Sequence, residues 1–141
     1  MNCLVPPRNA DIVREMYDAF NRWDVPAGLR LLHPDPELHQ APEIVDAEAY
    51  RGLDEFMRGL ALFMEDWEEP RLEPQRIEEE GAHVVVQVRV SGTGKTSGIA
   101  LATEYFHAWS LREGRPQCCV VRSSRAEALE VLKSLRSDRV G

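Results

Sequence analysis

The chain lacks most of the features that mark a specialised sequence. It has three cysteines in 141 residues, Cys3, Cys118 and Cys119. An odd count with one adjacent pair fits no disulfide framework, and without C-x-x-C spacing no metal site is read. This usage suits a reducing compartment, so a cytoplasmic location is expected. There is no excess of positive charge: 17 Lys and Arg against 24 Asp and Glu give a net charge of −7. Phosphate neutralisation needs a cationic face, which argues against a nucleic-acid partner. No apolar stretch approaches the roughly 20 residues of a membrane helix, so no membrane partner is expected. Residues 1–8 hold two prolines and no apolar run, so no signal peptide is read there.

What is present is globular in character. The composition is 43% hydrophobic and 29% charged, which excludes collagen-like, low-complexity and disordered chains. A domain of this length buries roughly 68–70% of the surface its unfolded chain exposes. One domain is expected over residues 9–137, with short tails over 1–8 and 138–141.

Apolar residues recur at helical spacing in Ile12, Val13, Met16, Tyr17 and Phe20, with Asn9 or Asp11 as cap. Asp24 and Pro26 open a second, shorter helix, which the prolines of His33-Pro34-Asp35-Pro36 end. Glu37 to Ala41 reads as a brief strand, followed by a loop to about Arg51. Gly52 opens a third helix whose stripe is Phe56, Leu60, Phe63, Met64 and Trp67.

From Arg71 the period changes from helical to alternating. Val84, Val86, Val88 and Val90 share one strand face. Tyr105, His107 and Trp109 share another, opposite Glu104, Phe106 and Ala108. Glu80-Gly81 and Glu113-Gly114 are placed as hairpin turns, Arg115 to Arg122 as the last strand. Ser124 to Glu127 has capping-box spacing ahead of a terminal helix. Helices followed by consecutive hairpins imply an α+β fold with an antiparallel sheet covered on one side.

Several apparent motifs fail. Gly94-Lys95-Thr96 resembles the end of a phosphate loop, but position 89 is Arg89 rather than glycine, and the stretch joins two strands. Glu78-Glu79-Glu80 reads as a solvated strand end, and Ser91 to Gly98 as a hairpin connection. His33 and His83, at element ends, are expected in solvent. Arg89 and Glu104 are expected on the outer sheet face.

Four segments carry a family resemblance: NADIVREMYDAFNRWD (Asn9–Asp24), HQAP (His39–Pro42), Tyr50-Arg51-Gly52 and FHAWSLREG (Phe106–Gly114). Together they resemble the SnoaL-like branch of the nuclear transport factor 2-like superfamily over about residues 8 to 130. The resemblance implies a cone, a strongly curved antiparallel sheet wrapped around three N-terminal helices, with a pocket at one end. It also implies a homodimer through the outer sheet face. Family activities range from ketosteroid isomerase to polyketide cyclase and dehydratase, so the fold does not fix the reaction.

In ketosteroid isomerase a carboxylate base works with a tyrosine and a protonated acid. By position these fall on Gln40, Met16 and His107, with Tyr17 rotated roughly 100° from the tyrosine site. Glutamine takes no proton near neutrality and methionine donates none, so steroid-isomerase chemistry is rejected. The resemblance instead implies His107 as an acid/base, with Gln40 and Tyr17 polarising a ketone. It places Met16, Phe20, Phe56, Leu60, Phe63, Tyr105, Trp109 and Cys119 around a small apolar ligand, with Cys118 outward. His39 then points away from the pocket, and a His39–His107 pair lacks a third metal ligand. No cofactor and no metal are implied. The expected activity is small-molecule binding, with cofactor-free cyclase, isomerase or dehydratase chemistry on an apolar ketone. The alternative is a non-catalytic ligand-binding or protein-interaction module.

Overall fold

A computed structural model describes residues 8–42, 49–65 and 67–140, with side chains to residue 135. Cys3 lies outside the described residues. Helix α1 spans Asn9–Asn21, and its cap position is Arg8, without a capping side chain. The expected caps are thus displaced: Asn9 is already helical, and Glu79 Oε1 accepts the Ala10 N–H at 2.9 Å. Helix α2, Val25–Leu31, is capped by Asp24, whose Oδ1 accepts the Ala27 N–H at 3.2 Å.

Strand β1, Glu37–His39, is followed by a second short strand, β2, Ala49–Arg51. Strand β2 lies where a loop is expected from the sequence; three residues are too few to show a period, and pairing with β1 defines it. Helix α3 spans Leu53–Met64, opened by Gly52 at φ 89°, a backbone angle that suits glycine. Trp67 is not the last member of the α3 stripe but the first residue of β3, Trp67–Glu80. Its ring lies against Gly92, where a Cβ would stand 3.0 Å from it. Strands β4 (His83–Gly94), β5 (Ala100–Arg112) and β6 (Arg115–Arg122) follow, then α4 (Arg125–Val140). Glu113 and Gly114 both take positive φ, 54° and 76°, in the tight β5–β6 turn. Helix α4 continues past residue 137, where the sequence reading ends the domain.

The six strands form one sheet in the order β2-β1-β6-β5-β4-β3. It is mixed rather than antiparallel throughout, because β1 runs parallel to β6. The long chain between these two strands permits the parallel pairing, which a tight hairpin does not. Register shifts at Glu68/Arg71, Pro74/Arg76 and Ser110/Leu111 bend the sheet. Pro70 and Pro74 sit in β3, the edge strand, where a missing N–H is tolerated. The result is the α+β, cone-like arrangement, with the sheet left open.

The concave face is the main core. Val84, Val86, Val88 and Val90 are fully buried there with Val13, Tyr17 and Trp109. On the convex face α4 covers Ala108, Cys118 and Val120 with Ala128 and Leu132. Arg89 and Glu104 are exposed on that face beyond α4, and Gln87 Nε2 donates to Glu104 Oε1 at 2.8 Å. Among the described residues no helix is long and apolar enough to cross a membrane.

His33 and His83 differ from their expected exposure. His33 is buried: Nδ1 accepts the Asp35 N–H at 3.0 Å, and Nε2 meets Glu113 Oε1 at 3.0 Å. The proline-rich turn folds back onto the β5–β6 hairpin, which sequence distance conceals. His83 is half-buried, opposite Ser110.

Candidate functional site

Between α1, α2, α3 and the concave sheet lies a cavity of about 200 Å³. Alternation along β5 turns Tyr105, His107 and Trp109 toward it, while Phe106 and Ala108 face outward. Alternation along β6 does the same for Cys119 and Val121. Met16, Phe20, Phe56, Leu60 and Phe63 reach it from the helices, with Gln40 just beyond β1. Both Met16 and Tyr17 line the space, so the one-residue offset on α1 does not remove Tyr17 from it. His39 does not line it.

The polar end is a chain of three side chains. Trp109 Nε1–H donates to the Tyr17 hydroxyl at 3.0 Å, and that oxygen lies 2.5 Å from His107 Nδ1. Indole is a donor only. The Tyr17 oxygen accepts from Trp109, and the Tyr17 hydrogen is assigned to Nδ1. This assigns the imidazole proton to Nε2 from the hydrogen-bond network. Among the described residues Nε2 has no hydrogen-bond partner, and the ring lines the cavity.

Electrostatics support the same state. Burial lowers the His107 pKa from 6.5 to about 4, so the ring is neutral at pH 7. Burial also raises the Tyr17 hydroxyl well above its usual range, helped by nearby Cys119 and opposed by the Trp109 hydrogen bond. Tyr17 is thus a proton-holding link. Its oxygen lines the cavity while bonded to both Trp109 and His107. With this assignment His107 presents a neutral N–H to the cavity as a hydrogen-bond donor.

Gln40 supplies the second polar group. It is 8% exposed, and among the described residues its side-chain amide has no hydrogen-bond partner. The register pairs His39 with Val120 and Val121 with His107. Gln40 and His107 therefore stand two strand spacings apart, about 10 Å between backbones, with both side chains on the concave side. The rest of the lining is apolar except for Asp24 and Tyr105. Asp24 spends one carboxylate oxygen capping α2.

Helix α2 contributes a wall that periodicity does not point to, made by Val25, Gly28, Leu29 and Leu32. Trp23, equally unpredicted in the lining, is 56% exposed with a positive φ of 61° at the α1–α2 turn. The short apolar run around Leu29 was the available signal. The sequence alone does not say that this helix faces a void.

A SnoaL-like domain profile matches residues 13–116. An NTF2-like protein of unknown function from Burkholderia pseudomallei is 26% identical at a TM-score of 0.72, with 89% of this chain and 97% of that chain covered. TerC, co-crystallised with polyporic acid, is 22% identical at a TM-score of 0.71, covering 89% of this chain and 98% of its own. A SnoaL-like polyketide cyclase candidate from Jannaschia sp. is 16% identical at a TM-score of 0.68, covering 80% and 83%. The last two share the fold alone. No curated protein matches the chain by sequence.

Proposed function

The chain belongs to the SnoaL-like domain family, and from that footing we propose that it binds a small, mostly apolar molecule bearing one carbonyl. The observation that carries this reading is the His107 Nε2–H, held in place by Tyr17 and Trp109 at the polar end of an apolar cavity. Among the described residues Nε2 pairs with no protein group and is open to the cavity, so a ligand acceptor placed there replaces water and adds one net hydrogen bond, about 0.5–1.5 kcal/mol. A carbonyl oxygen is a neutral acceptor suited to this donor, and the Gln40 amide offers a second donor. Exposed Trp23 and Val25 form an apolar lip through which such a molecule enters.

Size narrows the ligand further. An apolar cavity of about 150 Å³ in another protein holds benzene. The 200 Å³ here suits one ring or a small fused pair rather than a four-ring skeleton.

A ketone polarised by the His107 N–H loses an α-proton more easily to a water molecule in the cavity, which supports cofactor-free proton-transfer chemistry of the isomerase, cyclase or dehydratase class as a second reading. Association of two chains through the outer sheet face belongs to the same proposal. With α4 over β5 and β6, it falls to the region of Gln87, Arg89 and Glu104.

Calorimetry with a cyclic ketone and its hydrocarbon isostere tests the binding claim. One net hydrogen bond predicts about 2–10-fold tighter binding of the ketone, with the preference lost in His107→Phe. Equal affinity for the two, or binding of neither, removes the proposal. Exchange of the ketone's α-protons in heavy water, followed by NMR, separates an enzyme from a binding module. Exchange faster than buffer, and lost in His107→Phe, marks turnover.

A further inference from the structure

The convex face at the β1–β6 seam gathers three metal-ligating side chains that the cavity does not use. Glu37 and His39 are two residues apart on β1 and so share a face. In the parallel register Glu37 lies opposite Cys118, whose neighbour Cys119 turns into the cavity. His39 Nε2 is 3.2 Å from Glu37 Oε2, and Cys118 Sγ is 4.0 Å from the same oxygen. One donor atom from each residue lies within 4.8 Å of the other two. The side chains of Glu37 and His39 are 10% and 11% exposed, and Cys118 is buried.

The donor types decide which ion suits this place. Imidazole nitrogen, thiolate sulfur and carboxylate oxygen together suit zinc, whereas magnesium and calcium prefer all-oxygen shells. Zinc bonds of about 2.0–2.3 Å in a tetrahedron hold donors roughly 3.3–3.8 Å apart. The two spacings to Glu37 Oε2, 3.2 and 4.0 Å, bracket that range, and all three donors lie within 4.8 Å of one another. Arg51 Nε, from the exposed side of β2, forms a loose ion pair with Glu37 Oε1 at 3.7 Å, while Oε2 is the oxygen beside His39 and Cys118. The charges of carboxylate and thiolate balance a divalent ion, so the ion is neutralised where it is buried.

We propose that Glu37, His39 and Cys118 form a binding site for a zinc-type divalent transition-metal ion, with solvent as the fourth ligand. The ion would clamp the parallel seam between β1 and β6. This site is independent of the cavity and of what the cavity binds.

The test is titration of the chelator-treated full-length chain with cobalt(II), which reports thiolate ligation by a near-ultraviolet charge-transfer band. The expected result is saturation at one equivalent, with the band lost in Cys118→Ser and kept in Cys119→Ser and Cys3→Ser. His39→Gln lowers affinity at least about tenfold while circular dichroism shows an unchanged fold. Absence of saturable binding overturns the proposal, as does a band that survives Cys118→Ser. If Cys118→Ser does not fold, the melting temperature of the unaltered chain decides. Zinc raises it saturably and the rise is absent in His39→Gln; a melting temperature indifferent to zinc overturns the site.

Discussion

Cys118 and Cys119 are adjacent in sequence and both 2% exposed, yet they face different surroundings. Cys119 faces the hollow between sheet and helices; Cys118 faces a seam packed by α4 on one side and by Glu37 and His39 on the other. The same division separates His107 from His39. Among the described residues, the concave face keeps one neutral imidazole, His107, in a mostly apolar space where burial governs its charge. The convex face sets its imidazole beside a carboxylate. Two faces of one sheet, less than one side-chain length apart, thus provide opposite electrostatic environments. Alternation along a strand is all that decides which residue meets which.

Packing gives the largest expected contrast. Leu132 is fully buried between α4 and the convex face, whereas Leu29 is half-buried and faces the cavity. Leu132→Ala should cost about 3 kcal/mol, because the removed atoms leave a new hole in a filled layer. Leu29→Ala should cost about 1 kcal/mol, because part of that side chain already borders empty space. Urea denaturation of both variants checks this, and equal losses would mean that the cavity is not a void in solution.

Protonation gives an effect of similar size that is confined to one face. The folded chain lowers the His107 pKa from 6.5 to about 4 by burial. As pH falls through that window the unfolded chain takes up the proton first, so stability declines with it. Above pH 6.5 the ring is neutral in both states and contributes no slope. The loss is about 3 kcal/mol at pH 4 and levels off below it. Stability measured against pH should show it in the unaltered chain and not in His107→Phe. A smaller companion effect follows from Tyr17→Phe. That variant removes the donor to Nδ1, so the imidazole proton should divide between the two nitrogens, visible in 15N shifts. Unchanged shifts would remove Tyr17 as the group that sets the tautomer.

Much of this contrast was legible in the chain. The period-two run Val84, Val86, Val88 and Val90 marks a buried strand face, and Tyr105, His107 and Trp109 alternate in the same manner. Their inward direction came from the family resemblance. What escaped has one physical cause: it depends on pairing between distant segments. Strand β2 exists through its partner β1, and Trp67 left the α3 stripe because it packs on Gly92. The Tyr17–His107 bond spans 90 residues and the Glu37–Cys118 approach spans 81. Periodicity reports which side a residue takes, not which residue lies opposite.

The smallest expected effect tests the two faces most directly. Burial pushes the Cys119 thiol up, so its reaction with iodoacetamide at pH 8 should be slow. A bound ketone fills the cavity and should slow it further, leaving Cys118 untouched. Zinc should do the reverse, because a coordinated thiolate at the seam is shielded while the cavity stays open. Single Cys118→Ser and Cys119→Ser variants in a Cys3→Ser background separate the two rates by mass spectrometry. Protection of both thiols by either ligand would mean that the faces communicate through the sheet, for instance by a shift of β6. Protection of one thiol by each ligand would show that the β6 backbone isolates two sites built on adjacent residues.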